Sequence, residues 1–468
     1  MAGVGHAVNA IDAVVSRMGG YGNGAALFWQ GREIGYAEFL TLVEEWRDRL
    51  RAEDVGTGSV CAVVSDYSPQ TAALFFALML EKAIIVPLLR NSVQPLEGFM
   101  DLAEADVLVR IAENDTWTVE RRTGGQAVNS LLISFWTRKS PGLIVFTSGS
   151  TGTPKGILHD AERVMRKFVA PRQAWRTVLF LMMDHFGGFN SLLGTFASGG
   201  AAVCIGSRSP DTVCAAIADA RATLLPTTPT FLNLLVASGS YQRQDLSSIE
   251  LITYGTEVMN ESTLRMVRGA FPNAAVKQTY GLSELGVLRS KSESDDSLWV
   301  RIGGDGFEIK VVDSVLWIRS EANMVGYLNA PNPFDDEGWM CTGDQVEVRG
   351  EYMRILGRKS ELIFVGGEKV FPAEVEAVLL RDPNVREATV YGAPHPVMGQ
   401  IVSARVSLHE PEAAPGLTTR LRRLCVSQLA RFKVPVRFTV VEDGAQHSER
   451  FKKIRRITSD APDAADSD

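Results

Sequence analysis

The segment 146–156 combines glycines, hydroxyl side chains and a lysine in a pattern suited to binding phosphate. It reads Phe-Thr-Ser-Gly-Ser-Thr-Gly-Thr-Pro-Lys-Gly, and the apolar run 142–146 before it predicts a buried strand. Glycines let backbone N–H groups converge on an anion, because no Cβ blocks the positive φ angles that this requires. The residues predicted to bind a polyphosphate are Thr147, Ser148, Gly149, Ser150, Thr151, Gly152, Thr153 and Lys155.

This loop differs from a Walker A loop, in which a Gly-Lys-Ser/Thr sequence leads into a helix. Here Pro154 precedes Lys155, and the apolar pair 157–158 predicts a strand. We therefore expect the loop to join two strands of a hairpin. A flexible Ser/Gly linker is the alternative, but linkers rarely place Pro-Lys-Gly behind an apolar strand.

A second segment, 278–284, carries groups that suit a nucleotide and its metal ion. Tyr280 can stack on or cover an adenine, Ser283 offers a hydroxyl to a phosphate, and Glu284 offers the hard oxygen ligands that Mg²⁺ prefers. Taken alone, the segment is also typical of a joint between a strand and a turn. The residues predicted to contact the nucleotide are Gln278, Thr279, Tyr280, Gly281, Leu282, Ser283 and Glu284.

Three further segments stand out by their residue types. Asp344, in a Thr-Gly-Asp turn, can accept hydrogen bonds from two ribose hydroxyls, although Gly-Asp pairs are also common in simple turns. The segment 357–376 joins Gly-Arg-Lys-Ser to a glycine pair and a predicted helix start at Pro372. The run 448–456 is strongly basic, and such runs are usually solvated surfaces.

Taken in order, these segments resemble the motifs of the adenylate-forming superfamily: acyl-CoA synthetases, adenylation domains of nonribosomal peptide synthetases, and beetle luciferases. The resemblance covers nearly the whole chain. Segment 278–284 is similar to a Tyr-Gly-x-Thr-Glu motif with Ser283 in place of threonine, and 357–376 to the hinge and opening of a mobile C-terminal domain. Segment 448–456 resembles a terminal Gly-Lys-Ile-x-Arg loop.

The resemblance implies roles for named residues. Gly255, Thr256 and Glu257 are implied to line the adenine. Asp344 and Arg358 are implied to bind the ribose, and Gly366 and Gly367 to lie beside the pantetheine chain of coenzyme A. The implied catalytic residues are Lys453, Thr147, Glu284 and His185, with Glu284 holding the metal. The implied walls of the acid pocket are His185, Phe189, Gly255 and Gly281.

Two positions depart from the family pattern. Ser360 stands where the hinge usually holds Asp or Lys, and Lys452 replaces the glycine before the terminal lysine. Ile454 fixes the register and makes Lys453 the expected catalytic lysine, which also contacts the nucleotide, while Lys452 stays the alternative. Lys452 lacks the backbone freedom of the glycine it replaces, so the Lys453 side chain can point in a different direction than in the family.

The implied function is an ATP-dependent acid–thiol ligase that forms an acyl-adenylate and transfers the acyl group to coenzyme A. ATP, Mg²⁺ and coenzyme A are the implied cofactors, a small carboxylic acid is the substrate, and the chain is expected as a monomer or homodimer. The alternatives are adenylation for a separate carrier protein, a homologue that performs one half-reaction, and a non-catalytic nucleotide-binding module.

Composition limits the other function classes. The 468 residues carry a net charge of −7, which argues against non-specific nucleic-acid binding. Five scattered cysteines without Cys-x-x-Cys spacing favour reduced thiols in a cytoplasmic protein. We expect no signal peptide, and the apolar stretch 72–80 is too short for membrane insertion.

Alternation of strand and helix patterns predicts an α/β fold with doubly wound, largely parallel sheets. Within this alternation we expect a strand at 177–182 and a helix near 191–197. The predicted large body, 1–356, ends in a small β-barrel or sheet after residue 299. A hinge at 357–360 leads to a small α+β C-terminal domain at 361–468, whose tail 459–468 we expect to be disordered.

Overall fold

Two seven-stranded sheets form the centre of the molecule. The computed structural model describes residues 9–91, 95–122, 129–147, 154–304 and 306–455. Predictions for residues 148–153, Arg456 and the tail 459–468 therefore lie outside the described residues.

The first sheet is parallel except at one edge, where the hairpin of its last two strands is antiparallel. Its strands, in spatial order, are Ala275–Gln278, Leu251–Tyr254, Leu224–Thr227, Arg176–Val178, Ala201–Val203, Ala25–Trp29 and Arg32–Gly35. The polar residues that follow the first three of these strands come together at their carboxyl ends, which is where open α/β sheets bind ligands.

The second sheet has a parallel centre and antiparallel edges. Its strands, in spatial order, are Gly326–Tyr327, Lys155–Asp160, Gly142–Thr147, Ile84–Leu89, Val60–Ser65, Val107–Ile111 and Trp117–Arg121. Gly142–Thr147 pairs antiparallel with Lys155–Asp160, and Thr147 lies opposite Lys155. This confirms the hairpin predicted around the phosphate loop.

Helices cover the two sheets and fill the space between them. The α-helices of the body are Ala10–Gly19, Tyr36–Ala52, Pro69–Leu80, Leu96–Ala103, Ser130–Trp136, Ala161–Met165, Phe186–Ala197, Pro210–Ala220, Pro229–Ala237 and Glu261–Ala270. Pro69–Leu80 is apolar all round and joins one buried cluster with side chains of both sheets. No helix in the described part of the chain is long and apolar enough to cross a membrane.

The β-rich region predicted after residue 299 is a six-stranded antiparallel sheet. Its strands, in spatial order, are Ser290–Ser292, Val300–Ile302, Tyr352–Arg358, Met340–Arg349, Val315–Ser320 and Phe307–Val312. A hairpin of Tyr280–Leu282 and Gly286–Leu288 precedes it and carries the second predicted motif to the site.

The C-terminal region is an α+β unit with its own buried cluster, as predicted. Its sheet consists of Glu368–Val370, Ile363–Val365, Gly399–Leu408, Val385–His395 and Arg437–Val440. Its helices are Pro372–Leu379 and Ala414–Gln428, and a 3₁₀ turn at Lys359–Glu361 connects it to the last strand of the body. The domain boundaries at 356 and 361 stay predictions.

Two elements near the site differ from the sequence-based expectation. The strand expected at 177–182 is short, Arg176–Val178, and the helix expected from residue 191 begins at Phe186. The glycine pair 187–188 argues against a helix on propensity, but a Cβ on Gly188 would lie 2.0 Å from the Met182 carbonyl oxygen. Close packing therefore requires glycine here, and tertiary contacts override the propensity.

Candidate active site

One cavity of about 1260 Å³ lies between the body and residues 448–454 of the C-terminal region. Its walls include residues at or just after the carboxyl ends of parallel strands of the first sheet: Thr227, Thr228, Gly255, Thr256 and Thr279. A Cβ on Gly255 would lie 2.6 Å from Thr279 Oγ1, so the backbone there requires glycine. The cavity collects most of the predicted site residues at one place.

The phosphate end of the cavity is built around Tyr327. Its hydroxyl donates to Glu284 Oε1 at 2.6 Å, and the Lys155 ammonium lies 5.0 Å from the centre of its ring. Thr147 and Ser283 also line this end. A cation, a carboxylate and two hydroxyls therefore meet where the sequence predicts the polyphosphate and its metal ion. Sequence reasoning missed Tyr327.

A hydrogen-bonded triad of two buried residues, Tyr280 and Asp344, and the exposed Arg358 marks the predicted ribose end. The Tyr280 hydroxyl donates to Asp344 Oδ2 at 2.5 Å, and Arg358 Nε donates to Asp344 Oδ1 at 3.2 Å. Burial raises the pKa of Asp344, although the Arg358 guanidinium opposes this shift. The structure thus brings together three residues that the motifs predict separately, and it fixes the Tyr280 ring as a wall of the cavity.

Residues 448–455, which we call the docking loop, hold the C-terminal region against the body. The Phe451 ring packs 5.4 Å from Phe180 and 5.2 Å from Phe231, between centroids. Its carbonyl accepts from Thr228 Oγ1 at 3.1 Å. Arg450 donates to Asp184 Oδ2 at 2.5 Å. An aromatic anchor and a charged hydrogen bond thus fix this loop in the cavity.

The two adjacent lysines of the docking loop face different surroundings. The Lys453 ammonium donates to Glu376 Oε2 at 2.7 Å and to the Ala388 carbonyl at 2.9 Å, both in the C-terminal region. Arg455 donates to the same buried Glu376 carboxylate at 3.1 Å. The expected catalytic lysine therefore has its charge neutralised within its own domain.

Lys452 instead sits among the groups of the cavity. Burial lowers its pKa, and its electrostatic neighbours are the carboxylates of Glu257 and Asp184 and the guanidiniums of Arg450 and Arg358. Among the described residues, no carboxylate forms an ion pair with the Lys452 ammonium. An anionic ligand in the cavity would stabilise this charge.

His185 occupies the N-cap position of the helix Phe186–Ala197, which we call the pocket helix. Its Nε2 accepts from Arg450 Nη1 at 2.8 Å. Burial, with Lys452 and Arg450 nearby, holds the pKa of His185 well below its usual range. The imidazole is therefore neutral at neutral pH and keeps Nε2 free to accept this hydrogen bond.

Phe189, which is predicted to line the acid pocket, does not line the cavity. Phe189 is fully buried and packs 5.4 Å from Phe75, ring to ring, in the core between the sheets. Phe186 of the same helix lines the cavity instead. Gly187 and Ser191, which line the cavity, each lie about 160° from Phe189 around the helix, so Phe189 is on the opposite face.

Five other predicted residues do not line the cavity: Asp344, described above, and Glu257, Gln278, Gly366 and Gly367. Glu257 accepts from Thr230 Oγ1 at 2.6 Å and from the Lys453 backbone N–H at 2.8 Å, so it joins the body to the docking loop. Gln278 is buried beside the antiparallel sheet. Gly366 and Gly367, with φ of 58° and 93°, form the turn between two strands of the C-terminal sheet. Their role at the pantetheine chain of coenzyme A stays a prediction.

The chain matches known families and proteins along nearly its whole length. It matches the model of the AMP-binding enzymes over residues 16–328 and that of the AMP-binding enzyme C-terminal domain over residues 374–452. An indoleacetate–CoA ligase of Aromatoleum aromaticum is 27% identical, with 88% of this chain and 90% of that protein covered. A medium/long-chain-fatty-acid–[acyl-carrier-protein] ligase of Mycobacterium tuberculosis is 27% identical, with 80% of each covered.

Solved structures share the fold. The structure of an anthranilate CoA ligase in complex with anthranoyl-AMP covers 92% of this chain and 93% of its own, with a TM-score of 0.78 and 21% identity. At that identity the likeness is one of fold.

Proposed function

This chain belongs to the AMP-binding enzymes of the adenylate-forming superfamily, and from that premise we propose that it is an AMP-forming acyl-CoA ligase. In the first half-reaction a carboxylate oxygen would bond to the α-phosphorus of ATP, and pyrophosphate would leave. In the second, the coenzyme A sulfur would bond to the acyl carbon, and AMP would leave. The relatives named above as CoA ligase and carrier-protein ligase support a thiol acceptor.

The observation that carries this proposal is the convergence of four groups on one cavity. Lys155 and Glu284 meet at Tyr327, Arg358 lines the cavity and is bonded to Asp344 behind it, and Lys452 enters from the docking loop. Such an array fits a nucleotide polyphosphate, because positioning and charge neutralisation account for most of the catalysis of phosphoryl and nucleotidyl transfer.

Mg²⁺ fits this cavity only together with the nucleotide. Glu284 supplies a hard carboxylate oxygen, and its orientation is fixed by the Tyr327 hydroxyl at 2.6 Å. Among the described residues, no group of three or more His, Cys, Asp or Glu side chains gathers to hold a metal ion. Phosphate oxygens would therefore complete the coordination, and the bound ion would neutralise charge on the polyphosphate.

The thiol acceptor is the finer part of the proposal. We favour coenzyme A, because the sequence pattern 366–376 and His185 resemble those of free-standing acyl-CoA ligases. Transfer to a separate carrier protein is the second candidate, supported by the carrier-protein ligase among the relatives. A cytoplasmic location follows from the cysteine pattern and stays a prediction.

The proposal is tested by two assays on the purified chain. Labelled pyrophosphate should enter ATP only when a suitable carboxylic acid is present, which separates an adenylating enzyme from a nucleotide-binding module. A screen of acids with ATP and either coenzyme A or carrier proteins, read by mass, should then give a thioester with coenzyme A. Absence of acid-dependent exchange across the screen would reject the proposed function.

We predict that Glu284→Gln lowers Mg²⁺-dependent turnover by about 100-fold and leaves AMP binding nearly unchanged. The amide can still accept the hydrogen bond from Tyr327, so the local structure is kept while the negative charge is lost. AMP lacks the β- and γ-phosphates that carry the metal, so its affinity should not depend on this charge. Turnover and calorimetric AMP binding are compared with Tyr327→Phe, which keeps the carboxylate. Equal losses of both properties in Glu284→Gln would indicate a structural role.

A further inference from the structure

The cavity extends beyond the predicted nucleotide site along one face of the pocket helix. The helix residues that line it are Gly187, Gly188, Asn190, Ser191, Gly194, Thr195 and Ser198 at the C-cap. From Gly187 to Ser198 the axial rise is about 16 Å. Small and polar side chains on this face leave room for an elongated acid behind His185.

A lysine lies behind the wall of this part of the cavity, the stretch along the pocket helix, which we call the inner region. The Lys167 ammonium donates to Asn190 Oδ1 and, at 3.2 Å, to the Val287 carbonyl. It lies 5.0 Å and 5.9 Å from the ring centres of Phe168 and Phe186. All four of these residues line the cavity, so the Lys167 ammonium lies directly behind its wall.

The charge of Lys167 has no counter-ion among the described residues. Burial lowers the pKa of its ammonium to about 7, and the nearby charge that acts on it is another cation, Arg172. Arg172 is exposed at the wall of the same cavity, and no described carboxylate forms an ion pair with it. A desolvated cation without a counter-ion is costly, and an anionic ligand group would offset that cost.

The described carboxylates that line the cavity form no ion pair with Lys167 or Arg172. Asp184 is bound by Arg450, Glu284 lies at the phosphate end beside Tyr327, and Glu449 belongs to the docking loop. The inner region is therefore positively charged, whereas a pocket for a plain hydrocarbon chain would be apolar throughout. A purely structural role for Lys167, linking the pocket helix to Val287, is the competing explanation.

We propose that the acid activated by this enzyme carries a second anionic group, a carboxylate at its far end, which Lys167 and Arg172 receive. This rests on the proposed function and specifies its substrate class as dicarboxylic acids. The first carboxylate would lie near His185 and react, while the second, held by the two cations, would fix the acid in the cavity.

The experiment measures acid-dependent exchange of pyrophosphate into ATP without coenzyme A, so that phosphates of coenzyme A cannot be the bound anion. A series of α,ω-dicarboxylic acids is compared with monocarboxylic acids of equal carbon number. We expect KM for the best dicarboxylic acid to be at least about tenfold below that of its monocarboxylic match. Lys167→Met should raise this KM by about tenfold, with little change in kcat and no change for monocarboxylic acids.

The controls separate the ligand role from a structural one. Arg166→Met removes an exposed cation next in sequence and should change neither KM. Lys167→Arg should keep most of the preference, because it keeps the positive charge. If Lys167→Met does not fold, the same comparison of KM values is made with Arg172→Gln, which changes an exposed position.

Preference for monocarboxylic acids, with unchanged KM in Lys167→Met and Arg172→Gln, would overturn the inference and leave the proposed ligase function standing. Exchange with none of the acids would reject the proposed function itself, and the substrate class with it.

Discussion

Lys452→Ala is expected to lower the rate of acyl-adenylate formation by about 100-fold to 1000-fold. Lys452 lies in the cavity among Asp184, Glu257, Arg358 and Arg450, and no described carboxylate neutralises it. Its charge is therefore available to stabilise the negative charge that develops on phosphate, an interaction that the second half-reaction does not need. Single-turnover adenylate formation and thioester formation from supplied acyl-adenylate measure the two steps separately.

Lys453→Ala is the matched control, because it removes the same charge from the next residue. Its ammonium is bound to Glu376 at 2.7 Å, so we expect a loss of stability of the C-terminal region and a smaller loss of adenylation, below about tenfold. Thermal unfolding of both variants checks this. If Lys453→Ala abolished adenylation while folded and Lys452→Ala did not, the register given by Ile454 would be right and Lys453 would be the catalytic residue.

The difference between the two lysines shows what the sequence could not determine. Motif order placed a lysine of this loop at the site, but its register was taken from Ile454 alone. Adjacent residues of an extended segment point to opposite sides. The side on which each lysine falls is set by Phe451, which has a φ of 51° and packs against both Phe180 and Phe231. These are contacts between distant parts of the chain, and local pattern does not reveal them.

The fold was more predictable than the acid pocket. Apolar runs and phosphate-loop glycines identified the hairpin of Gly142–Thr147 and Lys155–Asp160, because strand and turn signals are local. Phe189 lies on the face of the pocket helix opposite the cavity, and the start of that helix depends on Gly188 packing against the Met182 carbonyl, a contact that local pattern does not reveal. Lys167 was missed because a single lysine carries no signal until its lack of a counter-ion is seen in three dimensions.

Ser360→Pro is expected to keep adenylation and to abolish most thioester formation. The docking loop and the body are in contact here, so the described arrangement serves the first half-reaction. Ser360 lies in the 3₁₀ turn Lys359–Glu361, where φ values near −60° are typical and proline, with φ of about −65°, is tolerated in the first turn. A proline would therefore stabilise this arrangement and oppose the backbone rotation that brings another face of the C-terminal region to the cavity.

The control is Ser360→Ala, which removes the hydroxyl and leaves the backbone free to rotate. Both half-reactions are assayed on wild type and on the two variants. Loss of thioester formation in the proline variant alone, with adenylation kept, would support rotation about this residue. If wild type performs both steps and Ser360→Pro loses neither, Ser360 is not the hinge. If wild type forms the adenylate but never the thioester, Ser360 is a linker residue and a separate protein completes the reaction, because no rotation is then needed to serve a second step.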